Sequence, residues 1–351
     1  MAETTNPDGR IRLKDIAAEA NVSVSTVSLV LNHKPGVAQS RRRRILELLE
    51  RHGYPTDGSH IKRGRTEGTI SFVVYDRDEI QTSHNPFFDA VLRGVEPAAQ
   101  SDHYNLSVIY LRRHGETSVH TLEGIDALKR AKPDGVLLDA SVSDRPLDET
   151  FPDLGVPLVL IDNIFRDDPV DAVAIDNRGG TFAAVNHLVD AGHTDIGLVC
   201  TSIPTPNFNE RRAAFSDALR ARGLTPADEC TFLLRPSQDG AYEDMQRILA
   251  GSPRLPSALF AANDILAFGT IRALKEQGVR VPDNLSIVGF DDLPFAEMIE
   301  PRLTTVHVYT ERIASIAVHR LIERLRGHAP EFIKVRVGTE LVIRDSVRRQ
   351  T

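Results

Sequence analysis

Six polar side chains stand at the ends of short apolar runs: Asp76, Asp162, Asn263, Asp264, Asp291 and Asp292. If those runs are strands of an open α/β sheet, their carboxyl ends are where a ligand binds. A carboxylate there accepts hydrogen bonds from hydroxyl or amide donors, and a carboxamide can both donate and accept. Strand-end turns and helix caps use the same residue types, which accounts for about half of the six without any ligand. Reactive chemistry has less support. Neither a G-x-G-x-x-G fingerprint nor a G-x-x-x-x-G-K-[ST] phosphate loop occurs, which argues against a nicotinamide dehydrogenase or a nucleotide kinase. The 12 histidines are scattered without metal-ligand spacing, and no nucleophile–base pair stands out. No cofactor and no metal is expected, and an enzyme reading would need a constellation assembled only in space.

A second set of residues, near the start, has a different chemistry. Residues 20–32 read ANVSVSTVSLVLN. At 100° per residue Val27, Val30 and Leu31 share one helix face, while Val24, Ser25, Ser28 and Leu29 share the opposite one. That outer face is small and uncharged, so it can approach base edges closely. Arg41 to Arg44 follow, placed to hold phosphates, which give affinity and register rather than sequence choice. Residues 1–66 carry 12 Lys and Arg against 7 Asp and Glu, although the whole chain has a formal net charge of −7. A basic head on an acidic body points to a polyanion met by the head alone. Charge by itself is equally compatible with a solvated face rich in arginine.

The elements that position these residues follow from periodicity. IRLKDIAAEA (11–20) sets Ile16, Ala17 and Ala20 on one side of a helix, and Ser23 suits the N-cap of the next. SRRRRILELLERHG (40–53) turns Ile45, Leu48 and Leu49 inward and closes at Gly53. Three short helices with a tight first turn make a helix-turn-helix head, whose second helix lies in the major groove. Any small three-helix bundle shows such periodicity, but the outer face of the second helix and the arginines favour DNA.

At 351 residues, 41% hydrophobic and 26% charged, the chain is an ordinary globular protein of two or three domains. No apolar run approaches the ~20 residues of a membrane span, and the opening residues lack a signal-peptide core, so a cytoplasmic location is expected. Cys200 and Cys230 lie in apolar stretches and read as buried thiols. From Thr69 onward short apolar runs alternate with amphipathic helices such as 87–99, 211–223 and 315–327. Strands are expected at 69–75, 106–111, 135–139 and 157–162, then at 196–200, 231–235, 258–263 and 286–292. This alternation predicts an α/β body of parallel sheets, and two such series predict two lobes with a cleft between them.

LKDIAAEANVSVSTVSLVLN, followed by GV and later GY, resembles the headpiece of the lactose-repressor/galactose-repressor family of bacterial transcription regulators. The family's V-S-x-x-T-V-S run is matched by Val22, Ser23, Thr26, Val27 and Ser28. NPFF (85–88), VAIDNRGG (173–180), HLVDAGHTDIGLV (187–199), ALFAANDILAFG (258–269), VPDNLSIVGFDD (281–292) and PRLTTV (301–306) resemble its regulatory core, so the likeness covers nearly the whole chain. It implies a helix-turn-helix head at 1–56, a hinge at 57–68, and a core similar to periplasmic sugar-binding proteins. The N-lobe would comprise 69–175 and 306–335, and the C-lobe 176–305 and 336–351. The implied function is a sequence-specific regulator, a repressor of carbohydrate-utilisation genes. It would bind a near-palindromic double-stranded operator as a homodimer, controlled by a small effector between the lobes.

Carried over by position, Val24 and Ser25 form the base-reading pair, Thr26 and Ser28 contact the DNA backbone, and Asn32 closes the reading helix. Leu29 stands where the family often has an arginine, so it lacks the bidentate guanine contact worth ~1–3 kcal/mol and can pack on a thymine methyl instead. Relatives carry a hinge helix whose leucine wedges into the minor groove. Here YPTDGSHIKRGRTEGT (54–69) is shorter and not alanine-rich, leaving Ile61 as the substitute wedge beside Lys62, Arg63 and Arg65. It reads equally well as an unstructured tether.

In the core the resemblance puts Asn85 and Phe87 on a first-lobe loop facing the cleft. It makes Arg211 the effector clamp, Asn263 and Asp291 strand-end ligands, and Asp162 their counterpart on the opposing lobe. These types suit a sugar: a carboxylate accepts from two hydroxyls, a guanidinium donates to two, and Phe87 covers an apolar ring face. Pro236, where some relatives have an aromatic, weakens a stacked purine. A sugar-capturing transport protein would share the body, but with an export signal and without the basic head.

Overall fold

Three helices build the first part of the chain: α1 (Leu13–Glu19), α2 (Val24–Leu31) and α3 (Gln39–Arg51). In the computed structural model, which describes residues 13–31, 37–52, 67–77, 86–113, 122–141, 151, 153–327 and 330–350, the chain divides into two units, 1–65 and 66–351. Ile16, Ala17, Ala20, Val27, Val30, Ile45, Leu48 and Leu49 close into one buried core in the first unit. These are the positions that recur at helical spacing, because only that stripe of each short helix can leave water. Asn21 turns the chain between α1 and α2 at φ 53°, in the left-handed region that asparagine tolerates. Ser23 Oγ then accepts from the Thr26 amide at 3.2 Å and caps α2. Gly53, Asn32, Ile61 and the hinge segment 57–66 lie outside the described residues.

The first element of the second unit is β1 (Gly68–Arg77), which starts within the stretch expected to be linker. α4 (Pro86–Ser101), β2 (Tyr104–Arg113), α5 (Leu122–Ala131), β3 (Gly135–Asp139), β4 (Leu158–Ile161) and β5 (Asp171–Ile175) follow. With β11 (Lys334–Val337) they form a six-stranded parallel sheet in the order β11-β5-β4-β3-β1-β2. The chain then crosses into the other lobe through α6 (Asn177–Asp190), β6 (Ile196–Thr201), α7 (Pro206–Ala221), β7 (Thr231–Leu234), α8 (Gln238–Ala250), β8 (Ala258–Ala261), α9 (Asp264–Glu276) and β9 (Ser286–Val288). This sheet is also parallel, ordered β7-β6-β8-β9. Parallel sheets covered on both faces need strands that are apolar throughout, as GVLLD and ALFA are, with every residue buried.

Two short strands complete the second lobe: β10 (Thr305–Val308) pairs antiparallel with β12 (Thr339–Val342). Bridges from Thr304 to Val288 and from His307 to Asp291 fasten this ribbon to the β9 edge. Between them, α10 (Thr310–Leu325) and β11 return to the first lobe. The pairing corrects two expected boundaries. Val306 to Val308 still pair with β12, and Arg336 and Val337 still pair with β5, so the crossings fall after Val308 and after Val337 rather than before 306 and 336. β5, β10, β11 and β12 are additional to the eight strands read from the sequence.

α10 lies against α4 at a point where only glycine fits: a Cβ on Gly94 would stand 2.7 Å from Ala314 Cβ and from Glu311 Cα. The start of β5 is fixed to α10 by Asp171, which accepts from Arg320 Nε at 2.8 Å, Arg324 Nε at 2.7 Å and the Ile333 amide at 2.7 Å. Asp171 and Arg320 are both buried, and this saturation of the carboxylate makes their burial tolerable.

Candidate ligand cleft and nucleic-acid interface

Two loops after strand ends help to supply the cleft, and their backbones are unusual. Asp162 after β4 has φ 61°, while Asp291 and Asp292 after β9 have φ 111° and 54°. Non-glycine residues seldom adopt these angles, and such conformations concentrate where a side chain must be aimed. Arg211 projects from the first half of α7 and is almost wholly buried. Its Nε donates to Asn177 Oδ1 at 2.8 Å and its Nη1 to the Ala262 carbonyl at 2.6 Å. Nη1 also stands 3.2 Å from Asp291 Oδ1, and the guanidinium lies 3.7 Å over the Phe290 ring. The arginine is thus oriented before any ligand arrives.

Asp162 faces this cluster from the other lobe. Asn207, at the start of α7, donates across the cleft to Asp162 Oδ2 at 2.7 Å and to its carbonyl at 3.2 Å. Asn177 joins the two halves, since its amide donates to Asn207 Oδ1 at 2.8 Å and to Glu210 Oε2 at 3.0 Å. Glu210 in turn accepts from both terminal nitrogens of Arg336 on β11, at 2.9 and 2.7 Å, a bidentate ion pair between the lobes. Burial opposes charge on Glu210, but Arg336 and Asn177 hold its carboxyl below the ordinary carboxylate range.

The other carboxyls are pushed the opposite way. Burial raises Asp291, Arg211 pulls it back, and the balance leaves it at about 6. Burial and then the neighbouring Asp139 raise Asp162 well above its ordinary value, against Arg211 and the Asn207 hydrogen bond. Asp162 Oδ1 is buried without a hydrogen-bond partner.

The structure therefore brings Asp162, Arg211 and Asp291 together. Asn263 stands at the end of β8, but its Oδ1 caps α9 by accepting from the Leu266 amide at 2.9 Å, leaving its amide group for other contacts. Phe87 is half-buried against the apolar core at the start of α4, and Asn85 lies outside the described residues. Asp264 and Asp292 have structural partners instead. Asp264 accepts from Thr305 Oγ1 at 2.6 Å and the Leu293 amide at 2.8 Å, and Asp292 holds Arg344 and His307. Asn177, Asn207 and Glu210 were not read from the sequence, though Asn207 precedes Arg211 by one helical turn and so shares its face. Among the described residues no cluster of His, Cys, Asp or Glu could hold a metal ion.

In the head, Val24 is 46% exposed, Ser25 is exposed, and Leu29 and Thr26 are half-exposed, all on α2. Ser23 Oγ lies within hydrogen-bond reach of the Ser25 and Thr26 hydroxyls, at 2.7 and 2.8 Å. Ser28 is the fifth residue of this eight-residue helix. Arg41, Arg43 and Arg44 are exposed in the first turns of α3. His52 Nε2 meets Glu19 Oε2 at 2.9 Å and ties the end of α3 to α1. A helix offering small side chains, beside another offering guanidinium groups, can set one against base edges and the other against phosphates. No helix among the described residues is long and apolar enough to cross a membrane.

Comparison with known proteins gives two family matches. Residues 12–57 match the lacI family of bacterial regulatory proteins, and residues 185–347 match a periplasmic binding protein-like domain. The chain is 29% identical over 345 residues to the probable HTH-type transcriptional repressor ExuR of Bacillus subtilis (strain 168), covering 97% of this chain and 99% of that one. It is 31% identical over 345 residues to the HTH-type transcriptional repressor PurR of Haemophilus influenzae, with 96% and 98% covered. Among solved structures, a complex of the transcriptional regulator CelR with cellobiose superposes with a TM-score of 0.71 at 26% identity, covering 96% of this chain and 100% of the other.

Proposed function

The chain belongs to the lacI family of bacterial regulatory proteins, and from that membership we propose a DNA-binding transcriptional repressor governed by a sugar or sugar derivative held between its lobes. The observation that carries this reading is the buried Asp162–Arg211–Asp291 cluster, in which strand-end carboxyls from the two lobes meet a helix-borne arginine joined to Asn177. A ligand that takes hydrogen bonds from both sides favours one closure angle. A preference of only ~1–3 kcal/mol changes DNA affinity by about 5–150-fold. CelR binds cellobiose in a similar fold, which supports a carbohydrate effector and the control of carbohydrate-utilisation genes.

In the head, Val24, Ser25 and Leu29 read bases, Thr26 and Ser28 hold the strand, Asn32 closes the reading helix, Arg41 binds phosphate, and Ile61 enters the minor groove. One three-helix head covers one half-site, so a homodimer on a near-palindromic operator follows. Its role is regulatory rather than catalytic, and its place is with the DNA in the cytoplasm. Selection of duplexes from a random library by the intact protein tests this. The reading predicts a near-palindrome bound with an affinity that falls steeply with salt. Binding without preference for any duplex would contradict it.

A further inference from the structure

The two lobes are joined by more than the chain crossings between them. Glu210, on the second turn of α7, accepts from both terminal nitrogens of Arg336 at 2.9 and 2.7 Å. Arg336 belongs to β11, which pairs with β5 in the first sheet, and its Nη1 also donates to the Ile175 carbonyl at 3.2 Å. The other side of this pair leads into the cleft. Glu210 Oε2 accepts from the Asn177 amide at 3.0 Å, and Asn177 Oδ1 accepts from Arg211 Nε at 2.8 Å. One turn earlier on α7, Asn207 reaches Asp162 of the first lobe at 2.7 Å. The first two turns of α7 are thus held to the first lobe by side chains. Other ion pairs stay within one lobe: Arg178 meets Asp217 at 2.5 Å between α6 and α7, and Arg320 meets Asp171 inside the first lobe. Those contacts survive any angle between the lobes, whereas the Glu210–Arg336 pair exists only while α7 stands against β11. A bidentate pair fixes both distance and plane, so it selects an angle more narrowly than a single contact does. Its side chains are 40% and 39% exposed, so opening can return them to water at modest cost.

We propose that Glu210 and Arg336 form a latch between the lobes, which sets the angle of the cleft by the protein's own contacts and passes that angle to Arg211 through Asn177. An effector that prefers this angle finds it preformed, and one that prefers another must break the pair. That consequence rests on the cleft being the control site, whereas the latch itself is a property of the lobes alone.

Double electron–electron resonance on the full chain tests the latch, with spin labels at Asp89→Cys on α4 and Ser202→Cys beyond β6, both exposed positions, and with labelled chains diluted into unlabelled protein. The native Cys200 and Cys230 are buried away from the label. The chain carrying only the labels is expected to give one main distance. Glu210→Gln keeps an acceptor for Asn177 but loses the charge, and Arg336→Gln loses the fork. Each should raise the population at longer distance severalfold, and the double variant should add little to either. Asp217→Asn, which breaks the Arg178 pair within the second lobe, should leave the distances unchanged. Distances unmoved by both single variants, additive effects in the double variant, or the same opening in Asp217→Asn overturns the latch and leaves an effector-controlled regulator standing. Failure of the effector reading would instead leave these distances as expected.

Discussion

Arg211→Ala removes the centre of the cleft network, and its cost should depend on pH in a definite direction. The side chain makes two hydrogen bonds, to Asn177 and the Ala262 carbonyl, lies over Phe290 and faces Asp291. Charge-assisted bonds of this kind are worth ~1.5–3 kcal/mol each, so roughly 3–6 kcal/mol of stability goes at any pH. The remainder comes from Asp291. Its carboxyl sits at about 6 in the folded wild type against an ordinary 3.8, so the folded state holds the proton more tightly and stability falls as pH rises from about 4 to 6. Above that window the wild-type loss stops growing. Without Arg211, burial acts unopposed and the folded carboxyl titrates higher still, so the variant keeps losing stability beyond pH 6. The extra loss between pH 5 and pH 8 then grows with that upward displacement, at ~1.36 kcal/mol per pH unit. Urea unfolding of both proteins at the two pH values measures this. A loss of equal size at both, or a smaller one at pH 8, would refute the coupling between Arg211 and Asp291.

Three other substitutions probe separate parts. Leu29→Arg should create a preference for guanine at one operator position, worth ~1–3 kcal/mol, visible as a changed consensus in duplex selection. Ile45→Ala hollows the small core of the head, where each large side chain counts, and should cost ~2–4 kcal/mol there. DNA binding should then weaken at least tenfold while calorimetric ligand binding is retained. Asp171→Ala deprives Arg320 and Arg324 of their shared acceptor and should lower the stability of the body by about 3–5 kcal/mol in urea unfolding.

Much of this architecture is legible in the sequence because burial imposes period. The eight residues closing the head core recur at helical spacing, and strands such as GVLLD are apolar throughout because both faces of their sheet are covered. The strands missed are those in which this pressure is weak. β11 reads KVRV, with Lys334 and Arg336 outward on a sheet edge, and β12 reads TELV with no residue fully buried. β5 is short, and its aspartate looks like a turn residue until Arg320 and Arg324, some 150 positions later, arrive to satisfy it. The cleft shows the same limit. Asp162, Arg211 and Asp291 carry recognisable chemistry, but Asn177 acquires its role only because it follows the first crossing between lobes and meets Arg211 from there. Asn263 and Asp264 are indistinguishable as strand-end polar residues. Only the fold shows that Asp264 is spent on Thr305 and the Leu293 amide.

The central claim is that a small molecule between the lobes governs the grip of the head on DNA. Fluorescence anisotropy of the selected operator duplex, titrated with intact protein in the presence and absence of the tightest-binding sugar, tests it directly. The account predicts a Kd shift of about 5–150-fold for the wild type and little or none for Arg211→Ala. An operator affinity unmoved by a sugar that demonstrably binds the wild-type cleft would contradict it.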